Sequence, residues 1–254
     1  MAVSHNQYGL IGLKLGHSFS KDYFSKKFFN EEIDAEYLNF EIPSADCLTD
    51  IVRSNPNLKG LNVTIPYKES VIRFLDYVDP VAQGIGAVNT IKIEHRNGNV
   101  ILSGYNTDII GFTDSIRPFL KKNDKKALIL GSGGAAKAIF AGLIMLGIEP
   151  TFVSRKKRPG IMTYPELTSE TMANHSVIVN TTPLGMWPDT ESCPDIPYDS
   201  ICKNNIVFDA IYNPDPTLFL KKCRKNGATA ISGIQMLYGQ AEASWKIWND
   251  QMPT

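Results

Sequence analysis

The chain has 254 residues, a length that fits one large domain or two modest ones. Its 26 Lys+Arg balance 26 Asp+Glu, and this zero net charge argues against a nucleic-acid or anionic-membrane footprint over the whole chain. Its longest apolar run, Ala138 to Ile148, falls short of the ~18 residues a membrane-spanning helix needs, and the N-terminus lacks the charged-then-apolar pattern of a signal peptide.

Tyr8 to Leu13 reads as a first strand, followed by a helix from about Asp22 to Asn30. Ser18 and Ser20 fall at that junction, where a serine serves either as an N-cap or as a hydroxyl donor to an anion at a helix N-terminus. Ala35 to Ile42 alternates, with Tyr37, Asn39 and Glu41 set against Leu38, Phe40 and Ile42, and reads as a second strand. A helix over Ala45 to Arg53 is expected next, then a third strand from Leu58 closed by Pro66. Asn62 and Thr64, two apart, project from one face of that strand and need polar partners, of which a ligand is one. Lys68 opens a segment whose Val71, Ile72 and Leu75 fit a helical period. Asn97-Gly98 marks a hairpin between Val88–Glu94 and Val100–Tyr105. A helix to about Leu120 then begins near Asp108, a position that the helix dipole favours for an acid.

After the charged connector Lys121 to Lys126, the aliphatic run Leu128 to Leu130 leads into Gly131, Gly133 and Ala136, followed by an apolar helical stretch. Strand, G-x-G-x-x-A turn and helix in that order make the entry to a dinucleotide-binding βαβ unit, whose helix N-terminus favours a pyrophosphate. Pro150 to Ser154 is its second strand. An NAD site carries an acid about 20 residues past the first glycine, for the adenosine ribose. Here Arg155-Lys-Lys-Arg158 stands instead, which argues for a 2′-phosphate and hence NADP. Val177 to Thr182, Ile206 to Tyr212 and Ala228 to Ser232 are further strands, Leu218 to Asn226 is a helix, and a last helix spans about Ile234 to Asn249. Its buried stripe is Leu237, Ala241, Trp245 and Trp248, with Gln240 beside it. Cys47, Cys193, Cys202 and Cys223 share no C-x-x-C spacing and read as free thiols of a cytoplasmic protein. His5, His17, His95 and His175 show no metal-ligand spacing, and no metal is expected.

Eight stretches in one order carry a resemblance: His17-Ser-Phe-Ser20, Asn62-Val-Thr-Ile-Pro-Tyr-Lys68, Gly86-Ala-Val-Asn-Thr90, Asn106-Thr-Asp108, Gly131-Ser-Gly-Gly-Ala135, Asn180-Thr-Thr-Pro-Leu-Gly-Met186, Ile211-Tyr-Asn-Pro214 and Met236-Leu-Tyr-Gly-Gln240. Over nearly its whole length the chain resembles the shikimate dehydrogenase family, NADP-linked enzymes of aromatic amino-acid biosynthesis. The resemblance implies an α/β fold with two domains around a cleft. Residues 1–107 plus 233–254 would bind substrate, and 108–232 would form a Rossmann-like NADP-binding domain. Lys68 and Asp108 would be the catalytic pair. Ser18 and Ser20, helped by Tyr212, would bind the substrate carboxylate, while Asn62, Thr64, Asn89 and Gln240 would meet mainly its ring hydroxyls. Gly131, Ser132, Gly133, Gly134, Ala135, Arg155, Lys156, Arg158, Thr181 and Gly233 would hold NADP(H). The implied reaction is the reversible reduction of 3-dehydroshikimate to shikimate by a cytoplasmic monomer or homodimer, with no nucleic-acid or membrane partner.

The chain departs from the family pattern in three places. Lys14 and Lys21 stand where prolines usually flank the serine motif, and Ser154 and Lys156 stand where Asn and Thr often flank the arginine. The stretch from Arg158 to Val177 is short, as if the helix after the second nucleotide strand were trimmed to a loop. Three rival readings stay open. One is a quinate/shikimate dehydrogenase that prefers NAD, against which the missing acid counts. Another is a non-catalytic homologue that binds a cyclitol carboxylate or a nucleotide. The third is a folate or amino-acid dehydrogenase of the same two-domain layout.

Overall fold

A computed structural model describes residues 5–16, 18–96 and 98–251, so His17 and Asn97 lie outside it. The chain separates into two compact units, Met1–Thr107 with Ala241–Thr254, and Asp108–Gln240.

The first unit opens with β1 (Asn6–Gly12), α1 (Phe19–Asn30), β2 (Ala35–Glu41), a 3₁₀ turn at Ala45–Cys47, α2 (Leu48–Ser54) and β3 (Leu58–Val63). The segment beyond Lys68 is a 3₁₀ helix, Ser70–Phe74, rather than the expected α-helix. β4 (Tyr77–Val78), α3 (Pro80–Ile85), β5 (Thr90–Arg96) and β6 (Asn99–Tyr105) complete the unit's run up to Thr107. The strands order as β2-β1-β3-β5-β6-β4. Pairing is parallel for β1 with β2 and with β3, and antiparallel across β3, β5 and β6. The β5–β6 hairpin pairs Arg96 with Asn99 across the two-residue turn that holds Gly98. Alternate residues of β1 serve different cores. Ile11 packs with Leu48, Val52 and Leu61, whereas Tyr8 and Leu10 join an aromatic cluster with Phe24, Phe28, Tyr37 and Trp248. Tyr37, expected on the polar face of its strand, is therefore a core residue. The face it shares with Asn39 and Glu41 is covered at its own level by α1, with Phe24 stacked on its ring at 4.8 Å.

The second unit runs α4 (Asp108–Ile116), a 3₁₀ turn at Arg117–Phe119, β7 (Lys126–Leu130), α5 (Gly134–Met145), β8 (Glu149–Ser154), β9 (Ile161–Thr163), α6 (Ser169–Ala173), β10 (Val177–Asn180), β11 (Ile206–Asp209), α7 (Leu218–Lys225) and β12 (Thr229–Ser232). The stretch after Arg158 is thus not a bare loop. It contributes an edge strand, parallel to β8, and a five-residue helix capped by Thr168. The six strands order as β12-β11-β10-β7-β8-β9, all parallel. This doubly wound arrangement reverses direction between β7 and β10, where such sheets bind ligands. Near-continuous apolar strands suit it because both faces are covered. Ile129, Val179 and Phe208 pack with Phe112 and Ile139, and Leu128, Ile178 and Val207 pack with Phe219 and Leu220.

α8 (Ile234–Trp248) crosses from one unit to the other. The division between the compact units falls at Gln240/Ala241, inside the helix. Its first turns pack backbone to backbone on α4: a Cβ at Gly111 would meet the Met236 carbonyl oxygen at 2.3 Å. Its last turns belong to the first unit. Trp248 lies over Gly60 and donates its indole N–H to the Ile91 carbonyl at 3.0 Å. No helix among the described residues is long and apolar enough to cross a membrane.

Candidate active site

In the first unit, the loop after β1 is held by β2. The Leu15 N–H donates to the Glu41 carboxylate at 2.6 Å, and the Asn39 amide donates to the Leu15 carbonyl at 3.4 Å. Ser18 is the N-cap of α1, its hydroxyl accepting from the Lys21 N–H at 3.3 Å. Ser20 sits in the first turn, and both serines are half-buried. Of the two roles left open for Ser18, the cap is therefore filled. The exposed end of α1 still carries the positive pole that favours an anion.

Lys68 follows β3 by five residues and is fixed through its backbone. Tyr67 is buried, donates its hydroxyl to the Ile42 carbonyl at 2.5 Å, and donates its N–H to the Thr64 carbonyl at 2.9 Å. The Lys68 carbonyl itself accepts from the Val88 N–H at 2.7 Å, which sets Lys68 beside the stretch that leads to Asn89.

Asn62 and Asn89 are 4% and 3% exposed, and a backbone N–H fixes which way the Asn89 amide points. The Asn89 amide oxygen accepts from the Thr107 N–H at 2.7 Å and from the hydroxyls of Thr90 and Thr107, both at 3.1 Å. Its amide nitrogen therefore points the other way. Asn62 accepts at Oδ1 from the Tyr37 hydroxyl at 2.7 Å and donates through Nδ2 to the Ser244 hydroxyl at 2.9 Å. Its amide is turned inward at both ends. These bonds brace Asn62 against Tyr37 and Ser244.

In the second unit, Asp108 begins α4 and is buried, while Gln240 is buried on α8, the helix that α4 packs against at Gly111. Gln240 donates to the Leu237 carbonyl at 3.1 Å. Tyr212 is 39% exposed after β11. Gly131 follows β7 at the reversal point of the sheet, with φ +115°. Thr181 stands directly against it: a Cβ at Gly131 would lie 2.4 Å from the Thr181 hydroxyl, which donates to the Leu130 carbonyl at 2.7 Å. Gly133 is the N-cap of α5 with no side-chain cap, and a Cβ there would meet nothing within 4 Å. That open space, together with the exposed Ser132, fits the backbone approach of a pyrophosphate. Gly233, in contrast, is buried with a Cβ position 2.5 Å from the Ala210 carbonyl oxygen, so packing alone demands a glycine there.

Arg155, Lys156 and Arg158 are exposed on the turn after β8, which Ser154 shapes by accepting from the Lys156 N–H at 3.1 Å. Lys157 differs from them. It is ion-paired with Glu166, whose carboxyl is lowered to about 2 first by Lys157 and then by donors from Thr163. A surface cavity of about 520 Å³ opens beside this turn, lined by Lys157 to Met162. The residues present fit a phosphorylated dinucleotide.

A second polar cluster was not anticipated from sequence. Fully buried Asp209, at the end of β11, accepts from the Asn180 amide at 3.0 Å, the Ile211 N–H at 3.1 Å and the Thr217 hydroxyl at 2.6 Å. The only signal for it was an acid closing an apolar strand. It braces the loops that carry Thr181 and Tyr212. Burial pushes its carboxyl up to about 6, against the pull of those three donors. A folded value above the unfolded one means that the protonated form is favoured by folding. This contribution is complete below the ordinary carboxyl range and is lost as pH rises from about 4 through about 6. Relative to Asp209→Asn, wild-type stability should therefore fall by up to about 3 kcal/mol between those limits. Urea unfolding of both proteins across that window measures it, and a pH-independent difference refutes it.

Residues 10–91 match the shikimate dehydrogenase substrate binding domain. A shikimate dehydrogenase (NADP(+)) of Methanococcus maripaludis is 38% identical, over 96% of this chain and 92% of its own. The crystal structure of shikimate dehydrogenase from Aquifex aeolicus superposes with a TM-score of 0.84 at 34% identity, covering 100% of this chain and 96% of that one. The Thermus thermophilus enzyme, crystallised with NADP(H) and shikimate, gives 0.84 at 26% identity, covering 98% and 95%.

Proposed function

The chain belongs to the shikimate dehydrogenase family, and on that premise we propose how its own residues carry the NADP-linked interconversion of 3-dehydroshikimate and shikimate. The observation that carries the cofactor reading is the turn after β8. Its three exposed cations, Arg155, Lys156 and Arg158, stand where an NAD site places a carboxylate, and the nearby Glu166 is engaged with Lys157. Gly131 to Ala135 and Thr181 would hold the pyrophosphate side. Bound NADPH supplies the hydride.

Lys68 donates a proton to the oxygen of the ketone as it is reduced, and takes one back in the oxidative direction. Asp108 accepts from a neighbouring substrate hydroxyl. Ser18, Ser20 and Tyr212 receive the carboxylate. Thr64, Asn89 and Gln240 orient the ring hydroxyls, with Asn89 presenting its amide nitrogen. Four free thiols agree with the reducing cytoplasm of a biosynthetic enzyme.

Four parallel assays, shikimate and quinate each with NADP and NAD, test the reading. Turnover should be fastest with shikimate and NADP, and a preference for quinate and NAD would replace it with the quinate-type alternative. Within the same assays, Arg155→Ala should raise KM for NADP by about tenfold to a hundredfold, the value of one charge-assisted phosphate contact, while KM for NAD moves little. An equal rise for both cofactors would place Arg155 elsewhere than at the 2′-phosphate.

A further inference from the structure

Between the end of β1 and the N-cap of α1 the chain has one buried anchor among the described residues. Leu13, Lys14 and Gly16 are exposed, whereas Leu15 is buried. Gly12 makes room for it: a Cβ there would lie 2.6 Å from the Leu15 side chain and 2.7 Å from that of Thr64. Both peptide groups of Leu15 are held as well, by side chains of β2. Its N–H donates to the Glu41 carboxylate at 2.6 Å, a short charge-assisted bond, and its carbonyl accepts from the Asn39 amide at 3.4 Å. Residues 39 and 41 lie two apart on one face of the strand, which lets them reach the same residue of the loop. Packing alone does not account for an asparagine at 39. Its Oδ1 is buried with no hydrogen-bond partner among the described residues, a destabilising arrangement, while its Nδ2 serves the loop.

We propose that Glu41 and Asn39 are positioning residues for substrate binding: by clamping Leu15 they set the direction in which the chain enters α1, and with it the placement of Ser18 and Ser20 against the substrate carboxylate. This rests on the substrate reading given above. α1 is anchored in the core by Phe24 and Phe28, more than one turn beyond Ser18. Those contacts fix the body of the helix and leave its first turn to the chain that enters it. Leu15 is the nearest clamped point before that turn, three residues ahead of the Ser18 cap. The carboxylate is carried unchanged from ketone to alcohol, so its contacts are the same in the ground and transition states. Loosening them should act on KM and spare kcat.

Glu41→Ala removes the acceptor of the Leu15 N–H from an exposed position at the end of β2. It should raise KM for shikimate about tenfold, with kcat and KM for NADP within about twofold of wild type. Glu41→Gln keeps an oxygen acceptor there and should recover KM to within about threefold of wild type. Asn39→Ala loses the longer bond and should raise KM for shikimate by about threefold. Steady-state kinetics of the three variants, with thermal melting alongside, give the comparison. A wild-type KM in either alanine variant overturns the proposal for that residue. A rise that Glu41→Gln fails to recover overturns the clamp, because the charge and not the hydrogen bond would then be responsible. An equal rise in KM for NADP overturns it too, since a general loss of structure would move both. A wild-type enzyme inactive on shikimate and quinate alike overturns the substrate reading itself, and is told apart because it appears before any variant is compared.

Discussion

Lys68→Ala is expected to lower kcat for shikimate oxidation by about 10²–10⁴-fold and to leave KM nearly unchanged, the signature of a group that acts in the transition state. The backbone supports reading such a loss as chemical. Lys68 is held through its main chain, by the 2.7 Å bond from the Val88 N–H to its carbonyl, and by the anchored ring of Tyr67 before it. Alanine keeps these main-chain contacts, and the melting temperature of the variant separates a loss of chemistry from a loss of fold. Steady-state kinetics in both directions, with thermal melting as the control, decide the matter. A variant with near-wild-type kcat would remove Lys68 from proton transfer. A variant with raised KM and intact kcat would make it a uniform binding contact instead. Lys68→Arg is an informative companion. It keeps a cation but offers a group that does not release its proton near neutral pH, so binding should survive while turnover falls.

What could be read before folding depended on how locally the information was written. The apolar runs Leu128–Leu130 and Val177–Val179, and the glycines between strand and helix, carry their meaning within a few residues. The parallel sheet and its nucleotide turn followed from them. Ser18 and Asp108 did not stand out by position alone, because helix starts favour a capping serine and a first-turn acid, and it was the resemblance that assigned them and Lys68 their roles. The buried polar cluster around Asn62 was illegible because its members meet from far apart. Asn62 and Ser244 are 182 positions apart, and nothing near either one predicts the other. Tyr37 was placed on the wrong side for a related reason: alternation identifies two faces of a strand but not which of them a distant helix covers. Asn62 illustrates the same limit from the other direction. A polar residue on an apolar strand needs partners, and only the packing of α8 shows that the protein supplies them. Lys157 looked equivalent to its three cationic neighbours until the fold brought Glu166 to it. The short stretch after Arg158 hid a strand of three residues, too brief for alternation to register.

Gly131 and Gly133 should separate stability from cofactor binding, although both belong to the same turn. Gly131→Ala adds a methyl group 2.4 Å from the Thr181 hydroxyl at φ +115°, a conformation that side chains rarely adopt. Backbone strain of about 1–3 kcal/mol and overpacking of about 1–3 kcal/mol should together destabilise the protein by about 2–6 kcal/mol. Thr181→Ala, combined with it, removes the hydroxyl on which the methyl collides but leaves the strain at φ, so stability should return only in part. Gly133→Ala is the opposite case. Its φ is −83° and its Cβ position is open, so urea unfolding should show stability within about 1 kcal/mol of wild type or slightly above it. KM for NADP should nevertheless rise, since the methyl occupies the space through which a pyrophosphate reaches the N-terminus of α5. Equilibrium unfolding and NADP titration of the two variants give four values. The expected pattern is a large loss of stability for Gly131→Ala and a loss confined to cofactor affinity for Gly133→Ala. Unchanged NADP affinity in Gly133→Ala would mean that the open space above α5 is not where the pyrophosphate lies.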